Sequence, residues 1–354
     1  MEAMIDSASA TNQCGIVLDG DEAAPLRFSI VIANFNYARF LGRSIESALE
    51  QQWPYVEVIV VDDGSTDDSR AVIESFGSRI QAIFRDNAGQ RIANNIGFAQ
   101  STGDVVVFLD ADDVLDPKFA SEVAKVWRSG TSKVQVQMAR VDALEQCLGS
   151  LVPAITHAPE PEDILGWASK TSEYPTPPGS GNAYAREFLE VFFPIGPEHD
   201  SSTDSTCLAL APFLGDVITV AKPLALYRQH GLNDSNLFAD KQRFGREVAR
   251  ALRRQQSAER LCAEIGAPLP NKNCVRLGLH LLQLRVASLR LDPASYPIKG
   301  ESRWTLLGDL ARSFWIRGFE PLHRRIVLIS WSILVLLMPG KLAHYLIRRR
   351  FNAG

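Results

Sequence analysis

Residues 28–33 (FSIVIA) form a short, β-branched and almost unbroken apolar run, the pattern of a strand buried on both faces. A brief loop, Asn34-Phe35-Asn36-Tyr37, separates it from apolar Leu41, Ile45, Ala48 and Leu49, whose spacing predicts a helix over 41–51. Residues 56–61 (VEVIVV) read as a second strand, stopped by Asp62-Asp63-Gly64. Ser65, with Asp68 three residues on, has the pattern of an N-cap for a helix carrying Ala71, Val72 and Ile73. A third strand is predicted over 80–84, a helix from Asn87-Ala88-Gly89 to Ala99, and a fourth strand over 105–109 (VVVFL). That strand runs into Asp110-Ala111-Asp112-Asp113, and Asp116-Pro117 reads as N-cap and first residue of a helix reaching Trp127.

Strands alternating with helices at this interval predict an α/β fold, a mostly parallel sheet with helices on both faces. In such sheets ligands bind at the carboxyl ends of the strands. The clusters at 34–37, 62–65 and 110–113 all fall there. After Gln146 the pattern loosens; the proline-rich stretch 153–181 reads as loop over the site, followed by a helical segment at 185–192 and an apolar run at 217–220. From about Asn236 the chain turns helical and basic, which places a domain boundary there.

Composition narrows the chemistry. At 354 residues, 46% hydrophobic and 22% charged, the chain is globular rather than disordered. Its formal charge of −4 offers no general attraction for nucleic acid, so no nucleic-acid partner is expected. Five scattered cysteines, with no CxxC or Cys/His cluster, predict neither a disulfide framework nor a zinc site. The phosphate-binding lysine loop, the GxGxxG turn after the first strand and the GxSxG elbow are all lacking. What remains is carboxylates at strand ends. Asp110 and Asp112, one residue apart in a turn, can supply hard oxygen ligands to Mg²⁺ or Mn²⁺, which favour one or two protein carboxylates plus substrate phosphates. Asp116 reads instead as a helix cap.

Residues 28–113 resemble glycosyltransferase family 2, of the type that builds bacterial surface polysaccharide, with the Rossmann-like GT-A fold. The resemblance rests on Ser29-Ile30-Val31-Ile32 through Asn34-Phe35-Asn36, on Val60-Val61-Asp62-Asp63-Gly64-Ser65-Thr66-Asp67, on Asn87-Ala88-Gly89-Gln90 with Asn95, on Gly103-Asp104, and on Phe108-Leu109-Asp110-Ala111-Asp112-Asp113. It continues more faintly through residues 178–186, Asp204 and Tyr227-Arg228-Gln229-His230, with Asn233 and Ser235 beyond.

The resemblance implies an inverting, metal-dependent transferase (a hexosyltransferase) using a nucleoside diphosphate-sugar, by family habit a UDP-sugar, and a hydroxyl acceptor on a glycan or lipid-linked saccharide. Asp63 would take the base with Ala33 and Phe35 near it, while Asp62 shapes the turn. Asp112 would be the direct metal ligand, and Asp110 would lie nearer the ribose or sugar and share the metal. Asn95, Arg228 and His230 would meet the diphosphate or sugar, although structural pairing with a carboxylate stays open for Arg228 and His230. Gly181 and Asn182 would line the acceptor side. One base must deprotonate the acceptor. Asp204 fits that place, with Glu198, Asp200 and Asp216 as competitors. A catalytically inactive scaffold and a nucleotidyltransferase are the alternative functions.

The ends differ from the middle. Residues 1–25 have no signal-peptide pattern and read as a flexible polar leader before a 26–235 catalytic domain and a 236–354 helical region. Residues 326–338 (IVLISWSILVLLM) carry no charge and are flanked by arginines and Lys341. As a helix this run reaches about 20 Å against a bilayer core of about 30 Å. It reads as a buried helix, or as one lying in a membrane interface held by the basic flanks and Trp331; a full span is the third reading. The expected location is cytoplasmic, peripheral on the membrane if the tail docks.

Overall fold

A computed structural model describes residues 24–199, 202–230, 242–268, 270–271 and 274–351. The first half alternates as its hydrophobic pattern predicts: β1 (Phe28–Asn34), α1 (Ala38–Leu49), β2 (Val56–Asp62), α2 (Ser69–Ser75), β3 (Gln81–Phe84), α3 (Gln90–Gln100) and β4 (Val105–Asp110). Strands β3-β2-β1-β4 are parallel, in that order. Ile30, Ile32, Val58, Val60, Val105 and Val107 face α1 on one side of the sheet. Their neighbours Val31, Ile59, Val61, Val106 and Phe108 face the opposite core. A period-2 side-chain alternation with apolar residues at both phases explains why these strands read as continuous hydrophobic runs. Gly97 of α3 lets helix and sheet meet closely, since a Cβ there would fall 2.2 Å from Val31 Cγ1.

The second half is less regular. It runs through β5 (Val114–Leu115), α4 (Phe119–Val126), β6 (Thr131–Val141), β7 (Cys147–Val152), α5 (Pro161–Thr171), β8 (Asn182–Ala185), α6 (Arg186–Glu190), α7 (Thr203–Leu214) and β9 (Asp216–Arg228). The sheet continues from β4 through β8, β6 and β9 to β5, and β7 pairs with the far half of β6. Here the pairing is mostly antiparallel: β8 runs against β4 and β6 and β5 against β9, whereas β9 runs with β6. The parallel prediction therefore describes β1–β4, and the sheet as a whole is mixed.

Several local expectations shift. Ser65 is not an N-cap: α2 starts four residues later, and the Ser65 hydroxyl bonds Asp62 and Asn34 inside the turn. The helix after Asp116-Pro117 begins at Phe119, although Asp116 does accept from Lys118 N at 2.8 Å. The stretch 153–181 is not merely loop, because α5 buries Ile164 and Ala168 beneath the sheet.

The remaining helices, α8 (Arg243–Ile265), α9 (Leu279–Leu291), α10 (Arg303–Trp315), α11 (Leu322–Leu337) and α12 (Gly340–Phe351), build a core of their own around α9. Helix α8 joins both parts: Phe244, Val248 and Ala251 pack on the helical core, while Ala258 and Cys262 pack on the sheet's second core. The boundary expected near 236 lies among residues outside those described. Of the two non-spanning alternatives for 326–338, neither holds alone. Helix α11 buries Leu328, Ser332, Val335 and Leu336 and leaves its other face exposed. Trp331 is half-buried edge-on to Phe351, so it packs inward rather than anchoring outward. No helix among the described residues is long and apolar enough to cross a membrane.

Candidate active site

The carboxyl ends of β1, β2 and β4 open into a cavity of about 830 Å³. Ala33, Phe35, Asp63, Asp110, Asp112, Gly179 and Asp204 all line it. Parallel strands bring these together because their register places Asn34 beside Asp62 and Ala33 beside Asp110.

The β2 turn divides its two aspartates. Asp62 is buried away from the cavity and accepts from Asn34 Nδ2 at 2.7 Å and Ser65 N at 3.1 Å, so it holds the turn. Asp63 faces the cavity while accepting from Ala88 N, Gly89 N and Arg85 Nη1 at 3.0, 2.6 and 2.9 Å. Those bonds fasten the start of α3 to the end of β2. Gly64, at φ +77°, has no room for a Cβ, which would meet Asn87 N at 2.7 Å.

The Asp110–Asp113 turn is a crowd of carboxylates. Ser180 Oγ donates to Asp113 at 2.6 Å and accepts from Asp110 N at 3.1 Å. Burial, then Asp113, Asp112 and Asp204, pushes the Asp110 carboxyl well above the usual range. Burial and Asp112 push Asp113 up to about 8. Such crowding is the signature of a site arranged to receive positive charge. Asp110, Asp112 and the His230 imidazole, whose Nε2 lies 2.8 Å from Asp112 Oδ2, are the groups suited to a hard or borderline divalent ion. Among the described residues no three such side chains form a ready-made cage. The donor set therefore fits an ion that completes its shell with oxygens of a bound ligand.

Asp204 stands in the first turn of α7. Its Oδ1 accepts from Ser205 N at 2.7 Å and from the Ser202 hydroxyl. A Cβ built on Gly179 would lie 3.4 Å from Asp110 Oδ2 and 3.8 Å from Asp204 Oδ2, so the two carboxylates face a common point. Two of its competitors, Asp216 and Glu198, stand elsewhere. Asp216 pairs with Arg128 at 2.8 Å at the start of β9, Glu198 is not on the cavity wall, and Asp200 lies outside the described residues.

Five of the expected site residues take other positions. Asn95 does not line the cavity; it exchanges hydrogen bonds with the Ile195 backbone at 3.0 and 2.9 Å. Gln90 and Asn94, one helical turn apart, take the cavity face of α3 instead, and Gln90 Nε2 reaches Asp110 Oδ1 at 3.1 Å. Arg228 is buried in structural pairing: it donates to Asp112 O at 2.7 Å and to Glu145 at 2.9 Å, locking the aspartate turn against the β6–β7 hairpin. His230, stacked on Phe40 at 4.9 Å, touches Asp112 and not the cavity wall. Gly181 and Asn182 are buried behind the cavity, where Asn182 Nδ2 bonds Pro178 O and Gly179 O. Pro178 and Gly179 supply that part of the wall.

Sequence reading missed the far wall. Arg243, Glu247 and Arg250 of α8, with His280 and Leu284 of α9, close the cavity. Their spacing of three and four residues is a signal, but only contact between the two halves reveals what it faces.

Residues 29–193 match the family model described as Glycosyl transferase family 2. An uncharacterized glycosyltransferase of Nostoc sp. is 40% identical over 216 residues, 59% of this chain and 66% of the relative. The uncharacterized glycosyltransferase YibD of Escherichia coli is 32% identical over 94 residues, 26% of this chain and 27% of its own. Each match thus spans less than two thirds of the relative. Among solved structures, S. aureus TarS 1–349 in complex with UDP-GlcNAc superimposes with a TM-score of 0.55 at 18% identity, covering 92% of this chain and 89% of that one. Residues 29–193 are a glycosyltransferase family 2 domain, and the chain has the GT-A fold.

Proposed function

We propose that the chain transfers a sugar from a nucleoside diphosphate-sugar, UDP-linked by preference, to a hydroxyl of a glycan or lipid-linked saccharide, inverting the anomeric centre. The observation that carries this reading is one cavity holding Asp63, Asp110 and Asp112 at strand ends together with Asp204. In it, Phe35 and Ala33 flank the base and Asp63 hydrogen-bonds it. Asp112 and Asp110, with His230 beside Asp112, would hold Mg²⁺ or Mn²⁺, which supplies positive charge to a diphosphate leaving group. Asp204 takes the proton of the acceptor hydroxyl as its oxygen bonds to the anomeric carbon and the bond to the diphosphate breaks on the opposite face. The α8 wall, basic through Arg243 and Arg250, borders the acceptor side. The fold neighbour's complex with UDP-GlcNAc supports the donor class.

The test is to incubate the chain with nucleotide-sugars, Mn²⁺ or Mg²⁺ and candidate acceptors. Release of nucleoside diphosphate that is abolished by chelation is expected. Release of pyrophosphate would indicate nucleotidyl transfer and overturn the proposal, as would turnover retained by Asp112→Ala.

A further inference from the structure

Exposed large apolar side chains are not scattered evenly over the described residues. Ten of the seventeen belong to α10–α12. On α11 they form a stripe, Ile326, Val327, Ile333, Leu334 and Leu337, interrupted for one turn by exposed Ser330 and opposite the face that packs on α9. A helix on a protein surface ordinarily turns polar residues to that side. Trp304 and Trp315 of α10, eleven residues apart and so on one helical face, are 79% and 82% exposed. Leu342 and Tyr345 continue the exposed apolar surface on α12. Helix α11 packs against both α10 and α12.

Charge identifies the occupant. Residues 321–354 contain six Lys or Arg and no Asp or Glu. Lys341, Arg348 and Arg349 are exposed on α12 beside Leu342 and Tyr345. A second copy of the chain would bring two such basic surfaces together and repel. An anionic bilayer instead attracts them and accepts the apolar stripe, while indole and phenol rings suit the headgroup level. Sixteen residues of α11 reach about 24 Å, too short to cross about 30 Å of hydrocarbon.

We infer that α10–α12 form a docking surface that lies in the plane of an anionic phospholipid membrane, with Trp304, Trp315 and the α11 stripe inserted and the α12 cations on the headgroups. The surface is separate from the cavity, so it stands whether or not the transferase reading does.

Flotation of the full chain with vesicles of phosphatidylcholine, with and without phosphatidylglycerol, tests it. Binding is expected to anionic vesicles, to weaken in about 1 M salt, and to blue-shift tryptophan emission in a manner lost with Trp304→Phe and Trp315→Phe. Val327→Asp with Leu337→Asp, and separately Arg348→Glu with Arg349→Glu, should each cut partitioning by about tenfold or more. All four positions are exposed, and an unchanged melting temperature shows that the fold is kept. A folded wild-type chain that fails to float with anionic vesicles overturns the inference. Binding unaffected by both double variants overturns it too, as does a lipid-independent dimer that the Val327/Leu337 variant dissociates.

Discussion

The two halves of the molecule bury charge in opposite ways. Beside the ends of β1–β4, Asp110, Asp112 and Asp204 line one cavity with Asp113 buried next to them, while Arg228 donates to the Asp112 carbonyl and to Glu145. In the helical half, Arg285 is fully buried on α9 but balanced: it donates to Glu301 at 2.5 Å and Asp309 at 2.6 Å, and Arg276 and the Tyr296 hydroxyl add further bonds to Glu301. One network is closed and holds helices together. The other sets carboxylates close enough that burial and their mutual repulsion raise the Asp110 carboxyl, a cost in stability that a ligand and cation can recover. Charge balance, more than burial, separates the structural cluster from the functional one.

The largest expected effect sharpens that contrast from the open side. Asp204→Asn should lower turnover by about 10²–10⁴-fold through loss of the base, with unfolding free energy nearly unchanged; equal turnover in a donor-saturated assay would remove Asp204 from that role. From the closed side, Arg285→Met should cost about 3–5 kcal/mol in urea unfolding, because Glu301 and Asp309 lose their buried partner. A loss below about 1 kcal/mol would break the comparison.

Glu173 sits at the seam, accepting from His280 N and Leu281 N at 3.2 and 2.9 Å to cap α9. Burial raises its carboxyl to about 7. A raised carboxyl contributes fully below the unfolded value near 4.5, where both states hold the proton, and that contribution is lost as pH rises through 7. The wild-type chain should therefore lose about 3 kcal/mol between those values relative to Glu173→Gln, which mimics the protonated form. Parallel stability–pH curves would refute it. The smallest effect is Asp110→Asn. By relieving repulsion it should leave stability unchanged or raise it by about 1 kcal/mol while impairing turnover, whereas clear destabilisation would mean that the aspartate crowd is structural.

Much of this was readable before folding. The period-2 runs of β1, β2 and β4 are buried on both faces, so their apolar pattern is unambiguous, and the aspartates that end them mark the ligand edge. Strands β7 and β8 were not readable: β7 is exposed over all but its last residue and β8 is only four residues, so neither carries a pattern above that of a loop. Asn95 shows the limit within a helix. One residue along α3 turns a side chain by about 100°, which sends Asn95 to Ile195 and gives the cavity Asn94.

The sequence by itself determined the strand–helix order, the carboxylates at the strand ends and a basic, acid-free C-terminal segment, because local periodicity and composition encode them. Tertiary structure decided what each side chain meets. It spent Arg228 on the aspartate turn, set Asp204 opposite Asp110 across Gly179, brought α8 to the cavity and turned Trp331 inward while leaving Trp304 and Trp315 outside. Those outcomes depend on contacts between residues on different elements, some far apart in the chain, such as His230 with Asp112. No local pattern carries them.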